Sequence, residues 1–186
     1  MRSMRSKSGA VPALPLAVLV GLVGLVGLGG CVASGPPPRV WAASVCSALT
    51  PWRDEISTLT TRAQQQTPTS TTPEQAKENL VRMLQGARDA SERARGKVVA
   101  AGVPEVDDGS AIATGVADSL TKVRDAYGKA GDAVRDLSTE DSGVFYERVS
   151  GVMVTLQQEY SASALDTSSL RSAELQQAFA EVPECL

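Results

Sequence analysis

From Trp41 onward, apolar residues recur along the chain at steps of three and four, which sets them on one face of an α-helix. The first stripe, Trp41, Val45, Leu49, Trp52, Ile56, Leu59 and Ala63, predicts a helix from about Val40 to Gln66. Pro51 falls inside it. A proline there removes one hydrogen bond and crowds a carbonyl, which predicts a kink or a broken start near Leu49–Thr50. The second stripe, Ala76, Leu80, Met83, Ala87, Ala90, Ala94, Val98 and Ala101, follows a strong start signal. Thr72 is a good N-cap, Pro73 suits the first helical position and Gln75 completes a capping box. Gly102, Val103 and Pro104 stop this helix.

The third stripe is the most regular. Ile112, Val116, Leu120, Val123, Tyr127, Ala130, Val134 and Leu137 predict a helix from Asp108–Ser110 to about Leu137. A fourth helix, from about Thr139 to Ala164, carries Phe145, Val149, Val152, Leu156 and Tyr160 on one face. A shorter fifth covers about Ser169 to Glu181, using Leu170, Ala173 and Phe179. No segment shows the two-residue alternation of a strand. The expected fold is therefore all-α: a four-helix up-down-up-down bundle with a short C-terminal helix. The alanine-rich second and third helices should pack closely.

The first thirty residues obey a different pattern. Arg2, Arg5 and Lys7 precede an apolar run from Val11 to Leu28, and small residues Gly29 and Gly30 lead to Cys31. This is the layout of a secretory leader. The string Leu28-Gly29-Gly30-Cys31 resembles the lipobox of bacterial lipoproteins. That resemblance implies diacylglyceryl transfer to the Cys31 sulfur and cleavage before it, so that the membrane is engaged through an N-terminal lipid. The competing reading is an uncleaved anchor, since the run is about as long as a bilayer span of roughly 20 residues. Three glycines and two prolines within it weigh against a permanent span. Residues 31–39 then form a Pro-rich tether at about 3.1 Å per residue, and residues 40–186 the bundle domain.

Charge and cysteine count follow from that division. The chain has 18 basic and 21 acidic residues. The leader holds three basic and no acidic residues, so the remainder carries 15 against 21, a net of −6. Such a balance argues against nucleic acid as a partner and against a polybasic patch for anionic lipid. If Cys31 is lipidated, Cys46 and Cys185 remain as an even pair in an oxidising compartment. We read them as one disulfide stapling the start of the bundle to its end; two buried free thiols are the alternative. A metal site is not expected, because there is no histidine and two distant cysteines do not make a ligand set.

Catalytic patterns are missing. Without histidine there is no Ser-His-Asp or Cys-His arrangement, and no nucleophile elbow, Walker loop or dinucleotide glycine pattern occurs. Asp107–Asp108 at the start of the third helix is read as capping. Arg82, Arg88, Arg93, Arg95 and Lys97 are read as a solvated face, with a surface for an anionic glycan or lipid head group as the alternative. The i,i+4 pairs Glu78–Arg82, Arg88–Glu92, Asp89–Arg93, Asp118–Lys122 and Asp125–Lys129 would lace it with salt bridges. The tract Thr67–Pro73 reads as a polar loop, with O-linked sugar as the alternative. Trp41 and Trp52 flank Cys46 and are read as core fillers, with a groove for an acyl chain as the alternative.

The string Val45-Cys46-Ser47-Ala48-Leu49-Thr50-Pro51-Trp52, the Thr/Pro-bounded second helix and a cysteine near the end resemble uncharacterised small lipoproteins and secreted proteins of actinobacteria. That resemblance implies location and architecture but brings no activity and no cofactor. The expectation is a non-enzymatic binding or structural module, lipid-anchored at the outer face of the cytoplasmic membrane, with an envelope protein or wall component as partner. The alternative is a lipid or small-molecule carrier with a cavity between its helices.

Overall fold

Five helices and a terminal turn, in the order the stripes predict, make up the computed structural model, which describes residues 35–66, 71–163 and 172–185. These residues fall in one compact unit, 33–186. Helix α1 spans Pro38–Gln65, α2 Pro73–Ala100, α3 Gly109–Arg135, α4 Ser142–Ser161 and α5 Ala173–Glu181, followed by a 3-10 turn at Pro183–Cys185. The bundle is all-α and its first four helices pack in sequence, α1 on α2, α2 on α3 and α3 on α4.

Contacts along each seam fix the up-down alternation. Trp41 near the start of α1 donates its indole N–H to the Gly102 carbonyl just past the end of α2, at 2.9 Å. Lower down the same seam, Trp52 donates to Ser91 Oγ at 3.0 Å, and Ser91 donates onward to the Ala87 carbonyl. Between α2 and α3, Lys77 Nζ near the start of one reaches the Leu137 carbonyl just past the end of the other, at 2.6 Å. The core runs along these seams through Leu49, Leu84, Leu120, Val123 and Val134.

Helix ends follow local chemistry. Thr72 and Gln75 form the expected reciprocal capping box. Asp141 and Ser172 cap α4 and α5 by accepting from Val144 N–H and Leu175 N–H. Gly102, with φ +78°, provides the left-handed residue past the end of α2.

Several expectations are corrected. Helix α1 runs unbroken through Pro51 and begins at Pro38. The carbonyl that Pro51 leaves without its usual partner belongs to Ser47, and both residues are exposed, so the lost bond is not a buried unsatisfied group. Leu49 and Trp52 on either side are buried, so packing holds the helix continuous across the gap. Helix α4 is shorter than its pattern by about three residues at each end. Asp108 is the residue before α3 but adopts φ +57° and its side chain caps nothing. The turn there is set instead by Gly109, where an added Cβ would sit 2.2 Å from the Pro104 carbonyl oxygen.

The tether is also partly folded. Glu105 N–H donates to the Pro36 carbonyl at 3.0 Å, and Gly35 lies so close to Val103 that a Cβ would come within 1.9 Å of its carbonyl oxygen. The folded unit thus begins before Val40, where the pattern placed it.

Cys46 and Cys185 are joined by a disulfide with a Cα–Cα distance of 5.1 Å. It draws α5 and the terminal turn onto the first half of α1. Phe179 stacks edge-on against Trp41 with centroids 6.0 Å apart, and Ala178 and Val182 pack on Ala42. The second half of α1 has no such cover, and α1 and α4 do not pack against one another.

Candidate ligand groove

An open side between α1 and α4 leaves a groove of about 640 Å³. One wall is Ile56, Thr60, Ala63 and Gln64, on the face of α1 that continues the core stripe beyond Trp52. The other is Met153, Leu156, Gln157 and Tyr160 on α4. Asn79, Leu80 and Met83 of α2 and Tyr127 of α3 form the floor. The local cause is the weak hold on α4, in which only Phe145 and Leu156 are buried. Small Thr60 and Ala63 opposite leave the gap unfilled. Its volume falls in the roughly 300–1,000 Å³ range of small-molecule sites.

No Asp, Glu, Lys or Arg lines this groove. Three of its six polar residues are already engaged. Thr60 Oγ1 donates to the Ile56 carbonyl at 2.9 Å, Asn79 Nδ2 to the Gln66 carbonyl at 2.9 Å, and Gln157 Nε2 to Ser161 Oγ at 3.2 Å. Tyr127 differs. Its side chain is only 9% exposed, and its hydroxyl makes no hydrogen bond among the described residues. No fully enclosed side-chain N or O atom of the described residues lacks a partner, so this hydroxyl is open to solvent on a residue that lines the groove. Burial, with a smaller contribution from neighbouring Tyr160, pushes its pKa up to about 12. Tyr127 is therefore a neutral donor at any physiological pH. The two rings meet edge-on with centroids 6.3 Å apart.

Comparison with protein-family models, with curated proteins and with solved structures finds no match. The site rests on its own geometry.

The residues singled out in the sequence are distributed differently from the groove. Trp41 and Trp52 are 0% and 5% exposed, each with its indole N–H bonded, and line no described groove. Leu28, Gly29, Gly30 and Cys31 lie outside the described residues, as do Thr67–Ser70 of the Thr/Pro tract. Among the described residues there is no cluster of three or more His, Cys, Asp or Glu side chains able to hold a metal, and no helix long and apolar enough to cross a membrane.

The expected i,i+4 salt bridges are not formed. Arg93 instead reaches Glu55 of α1 at 2.6 Å. Glu92 is held between Arg95 at 2.6 Å and Arg124 of α3 at 2.8 Å. Hydrogen bonds from Arg95 and then Arg124 bring the Glu92 carboxyl down to about 2. Arg88 pairs with its neighbour Asp89. Of these pairs, Arg93–Glu55 and Arg124–Glu92 reach a neighbouring helix, while Arg95–Glu92 and Arg88–Asp89 stay within α2 at spacings other than i,i+4.

The groove itself was not foreseen at this place. Its signal was present: Tyr127, Leu156 and Tyr160 are large residues on stripes read as core. Periodicity shows that they face inward, but not that α1 and α4 stay apart.

Proposed function

We propose that the protein is a lipoprotein, anchored through Cys31 at the outer face of the cytoplasmic membrane and acting there as a non-enzymatic binding module. The observation that carries this reading is the Cys46–Cys185 disulfide. A bond of this kind belongs to an oxidising compartment, which agrees with export by the leader. It also occupies both cysteines other than Cys31, the one at the lipobox junction. Two or three acyl chains suffice for firm attachment without basic residues, which fits a mature charge of −6.

A second reading, a carrier of lipid or another small apolar molecule, is favoured by the groove between α1 and α4. The groove offers apolar surface and hydrogen-bonding groups and no carboxylate pair. Envelope proteins or wall components remain the partners proposed for the rest of the surface.

Membrane fractionation tests the anchor. Cys31→Ala should shift the protein from the membrane fraction to the soluble fraction or leave an unprocessed precursor. Unchanged attachment of a processed Cys31→Ala chain sinks the reading.

A further inference from the structure

We infer that the groove between α1 and α4 binds the acyl chain of an uncharged ester lipid, with the Tyr127 hydroxyl donating to the ester carbonyl. The inference rests on the reading of this protein as a binding module and names the ligand class for it.

Three observations converge. Ile56, Met153 and Leu156 on the walls and Leu80 on the floor supply apolar surface that withdraws methylenes from water. No cation lines the groove, so a carboxylate or phosphate entering it would lose hydration without gaining a counter-charge. Tyr127 is nine-tenths buried and holds a donor without an acceptor among the described residues. The hydroxyl is not sealed from solvent, so it is free to exchange water for an acceptor carried by a ligand. A carbonyl at the head of an apolar chain supplies one and leaves the chain to fill the groove.

The occupant is thereby distinguished from two others. A free fatty acid has the same tail but an ionised head. A helix of a partner protein would need a longer apolar trough than four residues of each wall provide.

The test uses membranes containing the intact chain, at mildly alkaline pH where a fatty acid is ionised. A long-chain monoacylglycerol with a diazirine in its tail is added, the sample is irradiated and the label is mapped by mass spectrometry. Saturable labelling of residues 56–64 and 153–160 is expected, with the matched fatty acid labelling far more weakly. Tyr127→Phe should raise the half-saturating concentration about three- to tenfold, the effect of one neutral hydrogen bond. Met153→Lys should turn the preference towards the fatty acid by placing a cation in the groove. Helical circular dichroism checks that both variants are folded. Non-saturable labelling, label mapped elsewhere, an unchanged Tyr127→Phe or equal labelling by the fatty acid overturns the inference. The anchor stands or falls separately: labelling can fail while Cys31→Ala still releases the protein, and the reverse.

Discussion

Ser91 is a small polar residue of α2, fully buried on a stripe that includes Ala87, Ala90 and Ala94. Its hydroxyl accepts from the Trp52 indole and donates to Ala87, so both groups are satisfied by one side chain. Ser91→Ala removes an oxygen and leaves a buried indole N–H unpaired, which costs about 1–3 kcal/mol. Urea unfolding should show a lower midpoint with an unchanged slope. Trp52→Phe combined with Ser91→Ala should cost less than the sum of the two changes, because the donor has gone with the acceptor. Tyr127 makes a different prediction at the same scale. Its folded pKa of about 12 lies above the ordinary phenol value of 10.0. The folded state therefore holds this proton more tightly, and the associated stability is complete below 10 and is lost as pH rises towards 12. Alkaline difference spectroscopy should show a phenol ionising near 12 in the folded protein and absent from Tyr127→Phe.

At the scale of the element, α2 and α3 are bound by alanine packing inside and by Glu92 outside. Glu92 is lowered in the fold, so its contribution is present above its ordinary pKa of 4.5 and is lost as pH falls towards 2. Glu92 is 44% exposed, so solvent screens the pair and the effect is a small one. Glu92→Gln should flatten the acid limb of a stability profile between those values, with neutral stability lower by the same small amount. Gly109 gives a sharper outcome. The Pro104 carbonyl occupies the place of a Cβ, and being backbone it cannot swing away. Gly109→Ala should therefore lower the melting temperature, whereas Gly115→Ala on the open face of α3 should raise it slightly, through helix propensity. These elements also show what the sequence could tell. Helix number, order and core stripes were legible because burial imposes a period on each segment. Thr72–Gln75 was legible because a capping box is local chemistry. The unbroken α1, the left-handed Asp108 and the cross-seam ion pairs were not, because each depends on a neighbour distant in sequence. The groove escaped for the same reason. Tyr127 and Tyr160 carry the spacing of core residues, and only the separation of α1 from α4 makes them line an opening.

At the scale of the whole molecule, the two halves of α1 have opposite surroundings. Its first half is clasped by α5 and the disulfide, with Trp41 between Gly102 and Phe179. Its second half borders the groove. The disulfide closes a sequence separation of 139 residues, and by loop entropy a link of that span contributes about 5 kcal/mol, less any strain. The clasp involves α5, the terminal turn and the start of α1, while the groove is built from the later part of α1 with α2, α3 and α4. Reduction should thus act unequally on the two ends. It should lower the melting temperature substantially and shift tryptophan emission to the red as Trp41 loses Phe179. Acylglycerol labelling of residues 56–64 and 153–160 should persist below the new melting temperature, because neither α5 nor the terminal turn lines the groove. Hydrogen exchange resolves the two effects in one experiment, with faster exchange expected in residues 173–185 and at the start of α1. If residues 153–160 exchanged faster to the same extent, the ends would be one cooperative unit and the division of α1 into a clasped half and a binding half would not hold.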